Sequence, residues 1–141
     1  MKGRDDRVTV TQILQYGGKA VELADGRAAA DLREDETYFH ASVRLITVVG
    51  EAVKRLSPQF RQRHPEVPWQ SIAGMRDKMI HDYEHIDHSV VWGVLTDHLP
   101  RLLAVLEPIA TTFTPLDVAE ESEAIAPAPH DMGDAAAEEP N

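Results

Sequence analysis

The chain has 141 residues, 43% of them hydrophobic and 27% charged, which fits one globular domain able to bury a hydrophobic core. Cysteine is absent, and that excludes a disulfide scaffold, a cysteine-based zinc site and a thiol nucleophile. The net charge of -10 is unevenly spread: residues 110–141 carry eight carboxylates and no Lys or Arg, leaving 14 basic against 16 acidic residues in the body, so a locally basic surface there is not ruled out. No apolar run approaches the roughly 20 residues of a membrane helix. The charged start, Met1 to Arg7, lacks the apolar stretch of a secretory signal, so a cytoplasmic protein without membrane contact is expected.

The predicted elements are all helical, because no segment sustains period-2 alternation with β-branched enrichment. A first helix is predicted from Asp6 to Ala24, with Val10, Ile13, Leu14, Val21 and Leu23 as a loose stripe, Gly17-Gly18 as a weak middle and Gly26 after its end. A second is predicted over 31–56. Its inward set is Tyr38, Ser42, Leu45, Ile46, Val49, Ala52, Val53 and Leu56, broadened by Phe39 and Val43, as in a central helix with more than one neighbour. Ser57-Pro58 reads as an N-cap and first-turn proline opening a short third helix. Pro65 and Pro68 bracket a loop. A fourth helix is predicted from Trp69 to Tyr83 or Ile86, and a fifth from Asp87 to Ile109, kinked or interrupted at Pro100. The fold class is therefore an all-α antiparallel bundle of four to five helices over 1–111. The Ala/Pro/Glu/Asp-rich stretch 112–141 is expected to be a disordered acidic tail.

The chemistry-bearing residues concentrate between Gly74 and His88. On an ideal helix Ile72, Met75, Met79, Tyr83 and Ile86 share one face with Arg76 at its flank, and Arg76 and Tyr83 lie on the same side. His81 falls about 140° from Arg76. Joining Arg76 to His81 then needs a bend near His81, a long reach by the arginine, or a second chain. Two uses of these residues follow from the pattern. Arg76 can be a solvated helix residue paired with Asp77 or Glu84, with Tyr83 in the core. His81, His85 and His88, spaced i, i+4, i+7, can align three imidazoles for Zn²⁺ or Ni²⁺ if a carboxylate joins from another helix.

Arg76-x4-His81-x-Tyr83 resembles the R-x4-H-x-Y motif of the HepT-like branch of the HEPN superfamily. The likeness extends through Gly50-Glu51-Ala52-Val53-Lys54, Val67-Pro68-Trp69, Ile72-Ala73-Gly74-Met75-Arg76, His81-Asp82-Tyr83, Val91-Trp92 and Leu99-Pro100 with Leu102, over about residues 5–109. Asp77 stands where Asn often follows the arginine. The resemblance implies an all-helical, dimeric RNase that uses no metal or other cofactor and acts on RNA rather than DNA. It implies the toxin of a toxin–antitoxin module, neutralised when an MNT-type nucleotidyltransferase antitoxin adds AMP to the motif tyrosine. By this carry-over Arg76 and His81 are catalytic, Tyr83 is the modified residue, and Asp77 and Glu51 support the site. The competing expectation is a catalytically silent helical module that pairs with a nucleotidyltransferase.

Overall fold

In the computed structural model, which describes residues 5–113, helix α1 (Asp6–Ala24) begins where the Asp5 side chain accepts the Arg7 backbone N–H. Its bounds are those predicted. The helix is continuous through Gly17-Gly18. A Cβ on Gly17 would lie 2.9 Å from Leu103 Cδ2, so the glycine lets the last helix pack close. Gly26, at φ 78°, makes the turn that ends this segment.

The second predicted helix is broken. A single turn, α2 (Asp31–Glu34), stops at Asp35, whose extended backbone (φ -119°, ψ 97°) starts α3 (Glu36–Arg55) afresh. The Asp35 carboxylate accepts the Tyr38 N–H as an N-cap. That bond, followed by the Arg27 ion pair, holds its carboxyl below the usual value. Periodicity could not show this, because the capping aspartate lies within the polar face of an uninterrupted pattern. The buried set of α3 otherwise matches expectation, from Tyr38 to Val53, with Leu45 only half-buried.

Ser57 opens α4 (Pro58–Arg63): its Oγ accepts the Phe60 N–H and donates to Asp6 at 2.6 Å. With Arg55 donating to Gln12, this fixes the end of α3 against the start of α1, so the two run antiparallel. α5 (Trp69–His81) follows the Pro65–Pro68 loop, with the Trp69 indole N–H shared between the Arg61 and His64 carbonyls. It ends earlier than predicted, at Asp82 (φ -131°, ψ 48°), and a 3₁₀ turn over Tyr83–His85 follows.

The last helix starts at the predicted Asp87 cap, which accepts the Ser89 N–H. It runs as α6 (His88–Gly93), a wider π turn over Val94–His98, and α7 (Leu99–Ala110). The π turn is the interruption expected of Pro100. The proline has no N–H, and its ring crowds the carbonyl four residues back, so the chain widens and Leu99 N–H bonds to Val94 O. By length and composition this segment could pass for a membrane span, contrary to expectation, but Val91, Val94, Leu95, Leu99, Leu102 and Leu106 are buried in the core. Among the described residues the fold is all-helical, with no strand. Of the predicted tail, Thr112 and Phe113 close α7 with backbone bonds to Ile109 and Ala110, and Phe113 packs on the core. The rest of it lies outside the described residues.

Candidate active site

The site is built where α5 lies against α3. At its inner end the crossing is tight because Gly50 has no side chain: a Cβ there would lie 2.7 Å from Arg76 Cγ. Arg76 is thereby seated with only 18% of its side chain exposed. Its two terminal nitrogens reach different carboxylates, Nη1 donating to Asp77 Oδ1 at 2.9 Å and Nη2 to Glu51 Oε2 at 3.0 Å. Lys54 Nζ donates to the same Asp77 oxygen at 2.9 Å. Asp77, and to a lesser degree Glu51, raise the arginine above its ordinary value despite its partial burial. The Lys54 and Arg76 hydrogen bonds hold Asp77 below its own. The four groups form two cations against two anions. Each Nη keeps a second N–H, so the guanidinium is oriented without using up its donors. The sequence-predicted supporting pair, Glu51 and Asp77, is thus brought onto Arg76, whereas Glu84 is not. Lys54 joins the cluster unpredicted, although it lies in the same Gly50–Lys54 run.

At the outer end α5 stops on His81. This imidazole is exposed and makes no hydrogen bond or ion pair among the described residues, so both ring nitrogens are free for a ligand. Because the helix ends here, the ideal-helix projection beyond it fails. Tyr83 does not share a face with Arg76: it leaves α5 on the 3₁₀ turn and meets His40 of α3, with the Tyr83 hydroxyl hydrogen-bonded to His40 Nδ1. Arg76 meets α3 at Gly50, ten residues further on, so about 15 Å of helix rise separates the two contacts. Tyr83 is no core aromatic either, being 42% exposed.

The break at Asp82 also dissolves the row of three histidines. His85 turns back to Asp82, Nδ1 to Oδ1 at 2.8 Å, and His88 packs on Phe39 with ring centroids 4.6 Å apart. The described residues contain no cluster of three His, Asp or Glu side chains placed to hold a metal ion.

His40 is the residue that sequence reasoning missed. Its ring lies within 7° of parallel to the Tyr83 ring, centroids 5.8 Å apart, and edge-on to Phe39 at 5.5 Å. Two open grooves of about 360 and 330 Å³ flank the His40–Tyr83 pair; Arg44 and Thr47 border the first, Arg33 and His88 the second. Nothing local in the sequence marks His40, since its partner is 43 residues away.

The fold is all-helical, with an arginine seated between two helices and an exposed histidine at the end of the same helix. The profile described as ribonuclease HepT-like matches residues 13–109, and the chain belongs to that family. It is 38% identical over 96 residues to a "Putative RNase" of Caldanaerobacter subterraneus subsp. tengcongensis, covering 68% of this chain and 86% of that one. It is 30% identical over 109 residues to a "Putative RNase" of Methanocaldococcus jannaschii, covering 77% and 90%. It is 37% identical over 78 residues to a "Probable ribonuclease HepT" of Thermococcus cleftensis, covering 55% and 70%. No solved structure matches it. Family and relatives together support ribonuclease activity, with RNA as the substrate.

Proposed function

We propose that the protein is a metal-independent endoribonuclease toxin in which Arg76 and His81 carry the reaction and Tyr83 is the site of neutralisation. The observation that supports this most directly is the contrast on α5 between a seated, charge-balanced arginine and an unpartnered, exposed histidine five residues later. Without a metal the ribose 2′-OH is the nucleophile: its oxygen attacks phosphorus, its proton goes to a base, and the 5′-oxygen leaves with a proton from an acid. DNA lacks that hydroxyl and is not cut. His81 supplies one proton-transfer group. The free N–H groups of Arg76 stabilise charge growing on the non-bridging oxygens. A twofold homodimer through a surface that includes α5, on which Ile80 is 45% exposed, brings two Arg76–His81 sets to one cleft and supplies both acid and base.

Purified protein is expected to cleave RNA in EDTA and to spare the matching DNA. His81→Ala should lower the rate by roughly 10²–10⁴, the usual worth of an acid–base group. Full activity in that variant, or abolition by EDTA, overturns the assignment. An inert wild type that still binds a nucleotidyltransferase favours the silent interaction module.

The antitoxin partner in this reading is an MNT-type nucleotidyltransferase that adds AMP to Tyr83, whose exposure leaves it within reach of another protein. The blocking effect is mainly steric. Arg76 of the same chain is too distant to pair with the new phosphate, and Arg44, on the groove that Tyr83 lines, is the nearer cation. Tyr83→Phe should take up no AMP from such a transferase with ATP and should remain active beside it. An AMP adduct on that variant moves the modified position elsewhere, with Tyr16 and Tyr38 next to be mapped.

A further inference from the structure

We infer that His40 is the general base that activates the Tyr83 oxygen for attack on a nucleotide α-phosphate, so that the acceptor chain supplies its own base for its modification. The inference rests on the reading of Tyr83 as an acceptor of AMP and adds the group that makes its oxygen a nucleophile. A phenol is almost fully protonated at neutral pH and attacks phosphorus poorly until a base removes its proton. The Tyr83 hydroxyl is hydrogen-bonded to His40 Nδ1, the one atom a base would have to occupy. With the proton on Nε2, Nδ1 accepts from the phenol. The edge-on contact with Phe39 and the near-parallel Tyr83 ring fix the imidazole in that orientation. Both partners are exposed, so the pair is not a buried bond made for stability alone. The larger groove opens directly on it, and Arg44, one helical turn beyond His40, lines that groove as a cation for the incoming phosphate.

The step balances as a displacement. The Tyr83 oxygen forms a bond to the α-phosphorus of a nucleoside triphosphate, and the bond from that phosphorus to pyrophosphate breaks. The pyrophosphate keeps the electron pair, and the phenolic proton passes to His40 Nδ1. His81 has no part in it.

Adenosine 5′-phosphorimidazolide tests this on the full chain without a transferase, since it donates AMP with imidazole as leaving group. Acid-stable adducts are located by mass spectrometry. Tyr83 is expected to react ahead of Tyr16 and Tyr38, and His40→Ala should slow Tyr83 labelling by about 10²-fold. His40→Asn keeps a hydrogen-bond acceptor beside the phenol without a base, and should be as slow as the alanine variant. Wild-type labelling of Tyr83 in either variant overturns the inference; in the asparagine variant it shows that the contact only orients the ring. Circular dichroism and melting confirm that both variants fold. If Tyr83 is labelled in a His40-dependent manner but gains nothing from a nucleotidyltransferase with ATP, the base stands and the antitoxin reading falls.

Discussion

Helix α3 is met twice, by α5 and by the turn that follows it, and the two meetings differ in kind. At Gly50, α3 and α5 approach until backbone and side chain touch, and Arg76 is trapped with its charge matched by Glu51 and Asp77. At the other end, α5 has run out, His81 is exposed, and Tyr83 and His40 line open grooves. The contrast suits a site that must hold one charge still and keep proton-transferring groups in contact with solvent and substrate. A phosphate-binding arginine gains from being oriented in advance. An acid–base histidine must exchange protons and needs an accessible ring.

The largest expected effect tests the closed end directly. Arg76→Ala should lower the RNA cleavage rate by about 10²–10³, the cost of removing one strong transition-state donor. Arg76→Lys should recover little of it, because one ammonium cannot reach two carboxylates and a phosphate together. Recovery to near wild type would show that charge alone is needed there, and the contrast between a shaped end and an open end would lose its point.

Gly50→Ala asks whether the closeness itself matters. The added methyl must displace Arg76, so activity should fall with a stability loss of about 1–3 kcal/mol, as in overpacked cores. Denaturant unfolding and an RNA assay on the same preparation check both. A fully active variant would mean that the arginine tolerates a shifted seat.

Glu51→Gln should do less. The pair is partly exposed, so stability should fall by about 1 kcal/mol or less, with a modest fall in kcat as Arg76 loses one anchor. The smallest effect is on pH dependence. Asp77, held by Lys54 and Arg76, has its carboxyl below the ordinary 3.8, so its contribution is present above that value and is lost as pH falls through the lowered one. Unfolding midpoints measured from pH 5 down to pH 3 should drop less steeply in Asp77→Asn than in wild type.

Much of the scaffold was legible because it rests on local chemistry. The α1 start, the Ser57-Pro58 start of α4 and the Asp87 cap follow from side chains that bond within three residues of themselves. Pro100 announced an interruption through its missing N–H, and the π turn supplies it. Arg76, His81 and Tyr83 could be singled out as a motif, and Gly50 and Glu51 as a second run, without any sign that the two runs touch. The misreadings have one origin. Periodicity carries a helix across any residue that fits its pattern, and Asp35 and Asp82 fit while breaking it.

The sequence by itself determined an all-helical chain, most of its caps and the Arg76-x4-His81-x-Tyr83 motif, because those depend on neighbours along the chain. Only the tertiary structure decided that a glycine on α3 seats the arginine, that Tyr83 leaves the helix of Arg76, and that His40 receives its hydroxyl. Those contacts join residues 26 to 43 positions apart. Their geometry is set by how closely two helices pack and where one of them ends, which no single stretch of sequence encodes.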